Sequence, residues 1–340
     1  MELNILNPSL ADILSMTDPD GNIAPLVSIA EKSLPILQYG EWLECNNGDK
    51  HRTFLEDGFP EPSIRRFNQG VKPSKVTGTP HEDTTAMFED YGEVDARLAR
   101  LGGKEQAFRA RQSAGKARGF RQRIAREFFY GSTKIVPDGF MGMAARFNDP
   151  SAPNGRQIID AGGTGSDNCS VWFLTFGGNG INWIYPKGHP AGFDHKDLGE
   201  HTKEFPDGSM MQVLRDNFFW GLGITQTDWR GTARVANIDV SALTADASAG
   251  ADLIDLLIDA EETLDTAGTV GVDDTKGDLI EGQTIMVVPP VVSKFLRKQA
   301  LNKANVNLTV GEVGGKRVTM WGEFPVIRED SLLQTETRVA

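Results

Sequence analysis

Residues 45–86 read CNNGDKHRTFLEDGFPEPSIRRFNQGVKPSKVTGTPHEDTTA. Gly48, Gly58, Gly70 and Gly78, with Pro60, Pro62, Pro73 and Pro80, break the stretch at short intervals. Yet Phe54, Leu55, Phe59, Ile64, Phe67, Val71 and Val76 are spread through it. A structureless loop of this length is uncommon inside a compact domain, and a disordered one would carry fewer aromatic and branched residues. The composition predicts a long, thin β-arm with no core of its own. Its apolar side chains must bury against something outside the arm, and a second subunit fits that need. Phe54, Phe59, Ile64 and Phe67 are the expected contacts, with Arg65 and Arg66 as polar anchors beside them and Lys72 and Lys75 further along. Such an arm is dispensable for folding its own subunit and needed for joining it to others.

Beyond the arm, Lys104–Tyr130 has the strongest helical pattern. Ala107, Ala110, Ala114, Ala117, Ile124 and Phe128 recur at spacings of three and four, with Arg121 as the one interruption. They predict a narrow, small-residue seam for close packing. The opposite arc carries Lys104, Arg109, Arg111, Lys116, Arg118, Arg123 and Arg126. At 1.5 Å per residue the rod is about 40 Å long, and Gly115 and Gly119 each weaken it by ~1 kcal/mol, so packing must hold it. The basic arc suits a nucleic acid or acidic neighbours equally well.

Before the arm, residues 7–44 read as mainly helical, broken at Asp18-Pro19-Asp20-Gly21. A second helix runs through Ile23, Val27, Ala30 and Leu34 and ends near Pro35. Between 165 and 245 the pattern turns to strands at Val171–Phe176, Asn182–Tyr185, Phe218–Ile224 and Thr232–Val240. Then Leu253, Leu256, Leu257, Ala260 and Leu264 line one face of an acidic helix. Gln283–Val288 reads as a short strand, and Pro289-Pro290 open a helix through Val292, Phe295, Leu296 and Leu301.

The 340 residues are 39% hydrophobic, more than one core usually takes, so two lobes are expected. A net charge of −12 disfavours specific nucleic-acid readout and binding to anionic membranes. Glu2 stands where a secretory signal would be basic, no apolar h-region follows, and no run is long enough to span a bilayer. Cys45 and Cys169 are expected as free thiols.

Catalytic signatures are weak. His189, Asp194, His195, Asp197, Glu200 and His201 form the best metal candidate, but their spacing is that of a glycine- and proline-containing loop, and a solvated loop is the expectation. Gly162-Gly163-Thr164-Gly165 lacks the Lys-Ser/Thr of a phosphate loop and reads as a tight turn. No nucleophile elbow or paired carboxylate motif occurs. No cofactor and no enzyme activity are expected. The rival is a soluble metal-dependent enzyme using the 189–201 cluster.

Several stretches, in order, resemble the major capsid proteins of tailed bacteriophages, in a branch found among short-tailed and related phages. They are Asp18–Gly21, Trp42–Asn46, Asn68–Lys75, Phe128–Gly131, Ile159–Gly165, Ile184–Gly188, Asp197–Glu200, Asp228–Arg230 and Arg234–Asp239. The resemblance implies the α+β Hong Kong 97-type capsid fold. Its expected parts are an N-terminal arm (1–44), an extended β-hairpin loop (45–86), a peripheral domain (87–245) with the spine helix (104–130), and an axial domain (246–340). Because few residues follow Trp321–Val326, peripheral strands are expected before the axial domain, a reordered topology.

Functionally, the resemblance implies a structural virion protein. It would assemble with itself as pentamers and hexamers into an icosahedral shell around the dsDNA genome, in the host cytoplasm. Portal protein, a decoration or cement protein and non-specifically held DNA are the implied partners, with no membrane. A separate scaffolding protein is expected, since no charged helical extension precedes the N-terminal arm. The rival of the same fold is an encapsulin-like nanocompartment shell. On the spine, Arg109, Arg111, Lys116, Arg118 and Arg123 are expected to be largely neutralised by acidic groups, because packaged DNA must stay mobile.

Overall fold

The computed structural model describes residues 34–58, 61–75, 77–103, 105–245, 251–265, 270–272, 279–302, 308–313 and 316–340. Among these, the strands run in chain order as β1 (Trp42–Glu44), β2 (Lys50–Gly58), β3 (Thr77–Asp95), β4 (Ile158–Asp160) and β5 (Asn168–Phe176). There follow β6 (Ile181–Tyr185), β7 (Asp194–Glu204), β8 (Met210–Gln226), β9 (Thr232–Asp239) and β10 (Val270–Val272). The last are β11 (Leu279–Glu281), β12 (Gln283–Val288), β13 (Leu308–Val313), β14 (Lys316–Trp321) and β15 (Phe324–Arg328). The main helices are the spine helix Glu105–Tyr130, Leu253–Glu262 and Pro290–Asn302.

A 13-stranded sheet runs β13-β14-β15-β12-β5-β6-β8-β3-β2, with β1 beside β6, β7 beside β8, and β9 joining β4 to β5. At its centre is β5, whose nine residues are all buried, as an unbroken apolar run covered on both faces should be. Trp172, Leu174 and Phe176 meet Phe128 and Phe129 of the spine helix on one side. On the other, Val171 and Phe173 meet Leu253, Leu257, Phe295 and Leu296. The two expected lobes therefore share one sheet: β12 and β15 of 246–340 are hydrogen-bonded into it, β12 directly to β5. The boundary at 245/246 divides the chain order, while the second core is built from both sides of it.

The strands read at 171–176, 182–185, 218–224, 232–240 and 283–288 lie on β5, β6, β8, β9 and β12, and the helices read at 253–264 and from Pro290 are present. The spine helix occupies the expected span with a different buried arc. Phe108, Phe120, Ile124, Ala125, Phe128 and Phe129 are buried, whereas Ala107, Ala110 and Ala114 are exposed. Burying a large aromatic side chain stabilises by roughly 1.5–3 kcal/mol, far more than an alanine methyl, so the aromatic arc sets the rotation.

Two further readings are corrected. The helices expected at 7–34 lie almost wholly outside the described residues, and the remainder to 44 is a 3-10 turn at Pro35–Gln38 followed by β1. There β1 pairs in parallel with β6, and Trp42 stacks on Trp183 at 5.6 Å. The loop expected at 189–201 contains β7, antiparallel to β8 from Asp194 onward. The positive φ of Gly199 (82°) accommodates the register shift between Asp197 and Gly199.

Candidate assembly surfaces

The arm is a β-hairpin. Lys50 faces Thr84 and the ladder continues outward to Gly58 and Thr77, with a register shift near Glu56. Residues 61–75 cap it without regular pairing, and all are exposed. A turn closes at Arg66–Gln69, helped by Asn68 at φ 65°. Ile64 and Phe67 are 101% and 99% exposed, and Phe54 is 57% exposed. Arg65, Arg66, Lys72 and Lys75 are exposed around them, and Phe59 lies outside the described residues. Among the described residues the hairpin gives these side chains no partner surface of its own, which is the costly arrangement for apolar groups in water.

The root of the arm is held by polar bonds. Arg146 Nη2 donates to Asp83 Oδ1 at 2.5 Å and to the Ile224 carbonyl at 3.3 Å, and Arg146 Nε to the Met141 carbonyl at 3.1 Å. Thr84 Oγ1 donates to the Gly139 carbonyl at 3.1 Å, and Thr85 Oγ1 to that of Asp49 at 2.8 Å. Burial alone would raise the Asp83 carboxyl, but the Arg146 charge and hydrogen bonds from His81 and Arg146 hold it down at about 2. An exposed tip thus projects from a fixed base.

The basic spine arc meets acids of its own subunit. Arg109 Nη2 lies 2.6 Å from Asp197 Oδ1 and 2.7 Å from Asp216 Oδ1. The hydrogen bond to Asp197 is the main reason the Arg109 pKa is raised and the Asp197 pKa lowered. Lys116 Nζ donates to Asp90 Oδ2 at 2.5 Å, and Arg123 pairs with Glu127 one turn on at 2.7 Å. Arg111 and Arg118 also hold contacts.

The 189–201 cluster does not converge. His195 Nε2 lies 3.0 Å from Asp216 Oδ1 and its ring stacks on Phe218 at 4.6 Å. Glu200 takes Arg100 at 2.8 Å, His201 contacts the Leu198 carbonyl at 3.0 Å, and His189 packs on Phe219. Among the described residues no three such groups gather around one point. On β7, Asp197 turns to Arg109 of the spine helix, His195 to Asp216 of β8, and Glu200 to Arg100 just before the spine helix.

A buried node escaped the sequence reading. After β15 the chain returns as an irregular tail that tucks under the spine helix. Glu336 accepts hydrogen bonds from Tyr130 Oη at 2.6 Å, Arg234 Nη2 at 2.8 Å and Ser170 Oγ. Arg234 also donates to the Phe147 carbonyl at 2.6 Å and lies 4.9 Å over the Trp172 ring. Burial, and then the Glu336 charge, push the Tyr130 hydroxyl pKa far up. Beyond it, the Asn237 amide exchanges two hydrogen bonds with the Val339 backbone at 2.8 and 2.9 Å. Arg234–Asp239 is among the stretches that carry the family resemblance, but nothing in the sequence near Glu336 signals its partner.

The model of the family described as major capsid protein GP7 matches residues 18–340. None of the curated proteins matches. Among solved structures, a chain of the cryo-EM structure of bacteriophage Epsilon15 is 37% identical, with 99% of this chain and 98% of that chain covered and a TM-score of 0.76. The bacteriophage JBD30 capsid is a looser likeness, 11% identical with 88% and 91% covered and a TM-score of 0.49. The SrpI encapsulin of Synechococcus elongatus is looser again, 9% identical with 63% and 92% covered and a TM-score of 0.42.

Proposed function

The chain belongs to the GP7 family of major capsid proteins, and from that premise we propose how its parts share the work of building a shell. It is a structural phage capsid subunit with the Hong Kong 97-like α+β fold, and it works by self-association. In our reading the copies join as pentamers and hexamers of an icosahedral shell that closes around dsDNA in the host cytoplasm. Residues 1–44 act as the N-terminal arm, 45–86 as the loop laid over a neighbour, 87–245 as the peripheral domain and 246–340 as the axial domain. A separate scaffolding protein guides growth, a portal occupies one vertex, and a decoration or cement protein binds the outer surface. The subunit catalyses no reaction.

The observation that carries this reading is the arm: an apolar tip, Ile64 and Phe67, held out in solvent on a polar-bonded root. On a neighbouring copy each such side chain contributes roughly 1.5–3 kcal/mol, and a closed shell repeats the contact many times. Individual contacts then stay weak enough to correct while the particle stays stable. The pairing of Arg109 and Lys116 with acids of the same subunit supports an interior that holds DNA loosely.

The test replaces Gly58–Lys75 with a short Gly/Ser turn. We expect soluble subunit with near-native circular dichroism and no closed particles in electron micrographs, even with scaffold. Normal shells would overturn the role of the arm, and an unfolded subunit would place it in the core. DNA within the wild-type particles favours a genome container over a protein nanocompartment, and particles filled with protein cargo instead would reverse that choice.

A further inference from the structure

The strands β3, β8 and β7 carry the spine helix on one face and leave the other open. Strand register sets the rows of that outer face: Asp194 of β7, Phe219 of β8 and Glu89 of β3 stand side by side. Phe218, the next residue along β8, points the other way and is buried in the main core, so Phe219 and its row face outward. Two positions to either side of Glu89, Met87 and Tyr91 share the face and are 61% and 51% exposed. Phe219 is half-buried, with the His189 ring 5.7 Å away. The face is thus an aromatic between two acids, with large apolar side chains left in water on either side.

The acids of that row are not neutralised. Glu93, further along β3, is matched by Arg215 and Lys203. Glu89 accepts instead from neutral donors, Tyr91 Oη at 2.9 Å and Asn217 Nδ2 at 2.6 Å. Glu89 and Asp194 are both exposed, and no cation pairs with either among the described residues. The neighbouring row adds one base, Lys196, so the acids remain in excess.

We propose that the arm tip of a second copy seats on this face, with Ile64 and Phe67 over Met87, Phe219 and Tyr91, and Arg65 and Arg66 toward Glu89 and Asp194. The proposal rests on the reading of 45–86 as an arm laid over a neighbour, and names where it is laid. Complementarity carries it: the tip runs apolar, base, base, apolar, and the face sets acid, aromatic, acid between two exposed apolar side chains. Size agrees. Met87 to Tyr91 covers about 14 Å along the strand and the three strands about 10 Å across it, while Ile64 to Phe67 extends at most about 11 Å. The tip of the same chain is out of reach. Thr77 and Met87 lie on one continuous strand, about 34 Å apart, so folding back would break the pairing of β2 with β3. Exposed ion pairs stabilise little, so apolar contact supplies the attraction and the charges set how the tip lies.

The experiment follows assembly of the full-length protein, with scaffold, by light scattering and electron microscopy. Glu89→Arg with Asp194→Arg should raise the threshold concentration at least tenfold, since like charges then meet across the contact. Adding Arg65→Glu and Arg66→Glu should return it to within about threefold of wild type. Separately, Gln69→Cys with Lys196→Cys places thiols beside the contact without removing any group it uses. A short bismaleimide should then join chains into covalent ladders in particles but not in dilute subunit, the native thiols being buried. If Ile64→Ser with Phe67→Ser assembles like wild type, the arm reading itself fails. If that variant is impaired while Glu89→Arg with Asp194→Arg assembles normally, the arm stands and this seat is overturned. Particles that give no ladders, or no recovery with the reversed tip, would overturn it as well.

Discussion

Replacing Glu336 by Ala should destabilise the unassembled subunit more than any substitution on the arm. The carboxylate is 5% exposed and takes hydrogen bonds from Arg234, Tyr130 and Ser170, while the Arg234 side chain is 3% exposed. Without Glu336 the guanidinium keeps the Phe147 carbonyl and Ser170 Oγ as neutral partners, but no anion. Breaking a buried pair by removing one partner costs roughly 3–5 kcal/mol. The Tyr130 hydroxyl would still accept from Leu333 N at 2.9 Å but would lose the acceptor for its own proton, which is part of that cost, on the order of 1–3 kcal/mol. Thermal unfolding followed by circular dichroism should then show a Tm lower by about 5–10 °C, scaled from smaller domains. Glu336→Gln keeps one acceptor oxygen and should lose roughly half as much. Replacing both charges, Arg234→Met with Glu336→Leu, should recover most of the loss, because paired apolar residues often match a buried ion pair. A Glu336→Ala cost below about 1 kcal/mol, or a double variant as unstable as that single one, would refute the assignment of the node as the tail's anchor.

Other expectations follow from the same coordinates. Burial pushes the Glu329 carboxyl up to about 7, against hydrogen bonds from Ser331 and Ile36 that favour its ionised form. The folded state therefore holds a proton that the unfolded chain has released, and stability falls as pH rises from about 4.5 to 7, by roughly 3 kcal/mol in all. The pH profile of Tm should lose that slope in Glu329→Gln, and an unchanged slope would remove Glu329 as its source. Ile64→Ser with Phe67→Ser should leave subunit Tm unchanged, since both are exposed. The same pair should raise the threshold concentration for assembly seen by light scattering, and a variant that assembles like wild type would show that the tip touches no neighbour. Gly223→Ala would bring a methyl to 2.5 Å from the Thr84 carbonyl and 3.0 Å from Thr85 Cα, both backbone atoms of β3. It should cost about 1–3 kcal/mol by overpacking and loosen the arm's root, read as faster hydrogen exchange across β3, whereas unchanged exchange would mean the strands can part freely there.

What the sequence disclosed depended on whether the physics was local. The centre of the fold was legible because β5, β12 and the 290–302 helix carry their burial as periodicity or as unbroken apolar runs. The spine was legible in extent and misleading in rotation, since counting small residues at helical spacing ignored how much more an aromatic gains by burial. Strand β7 was missed because neither face of it is steadily buried, so it shows no alternation of period two. Its charged residues looked like a loop because their partners, Arg100 and Arg109, lie about 90–100 positions away.

The arm and the tail show the same contrast from opposite directions. An apolar residue with nothing to bury it is a misfit within its own segment, so Ile64 and Phe67 stand out among glycines and prolines in the sequence itself. A satisfied buried ion pair leaves no such mark. Glu336 reads as an ordinary surface acid until Arg234, 102 positions earlier, and Tyr130, 206 positions earlier, are brought onto it. Sequence reasoning therefore detects what a subunit lacks more readily than what completes it. In a chain proposed to leave part of its apolar surface for its neighbours, that bias exposes the proposed contact at Ile64 and Phe67 first and hides the buried Glu336 node that anchors the tail.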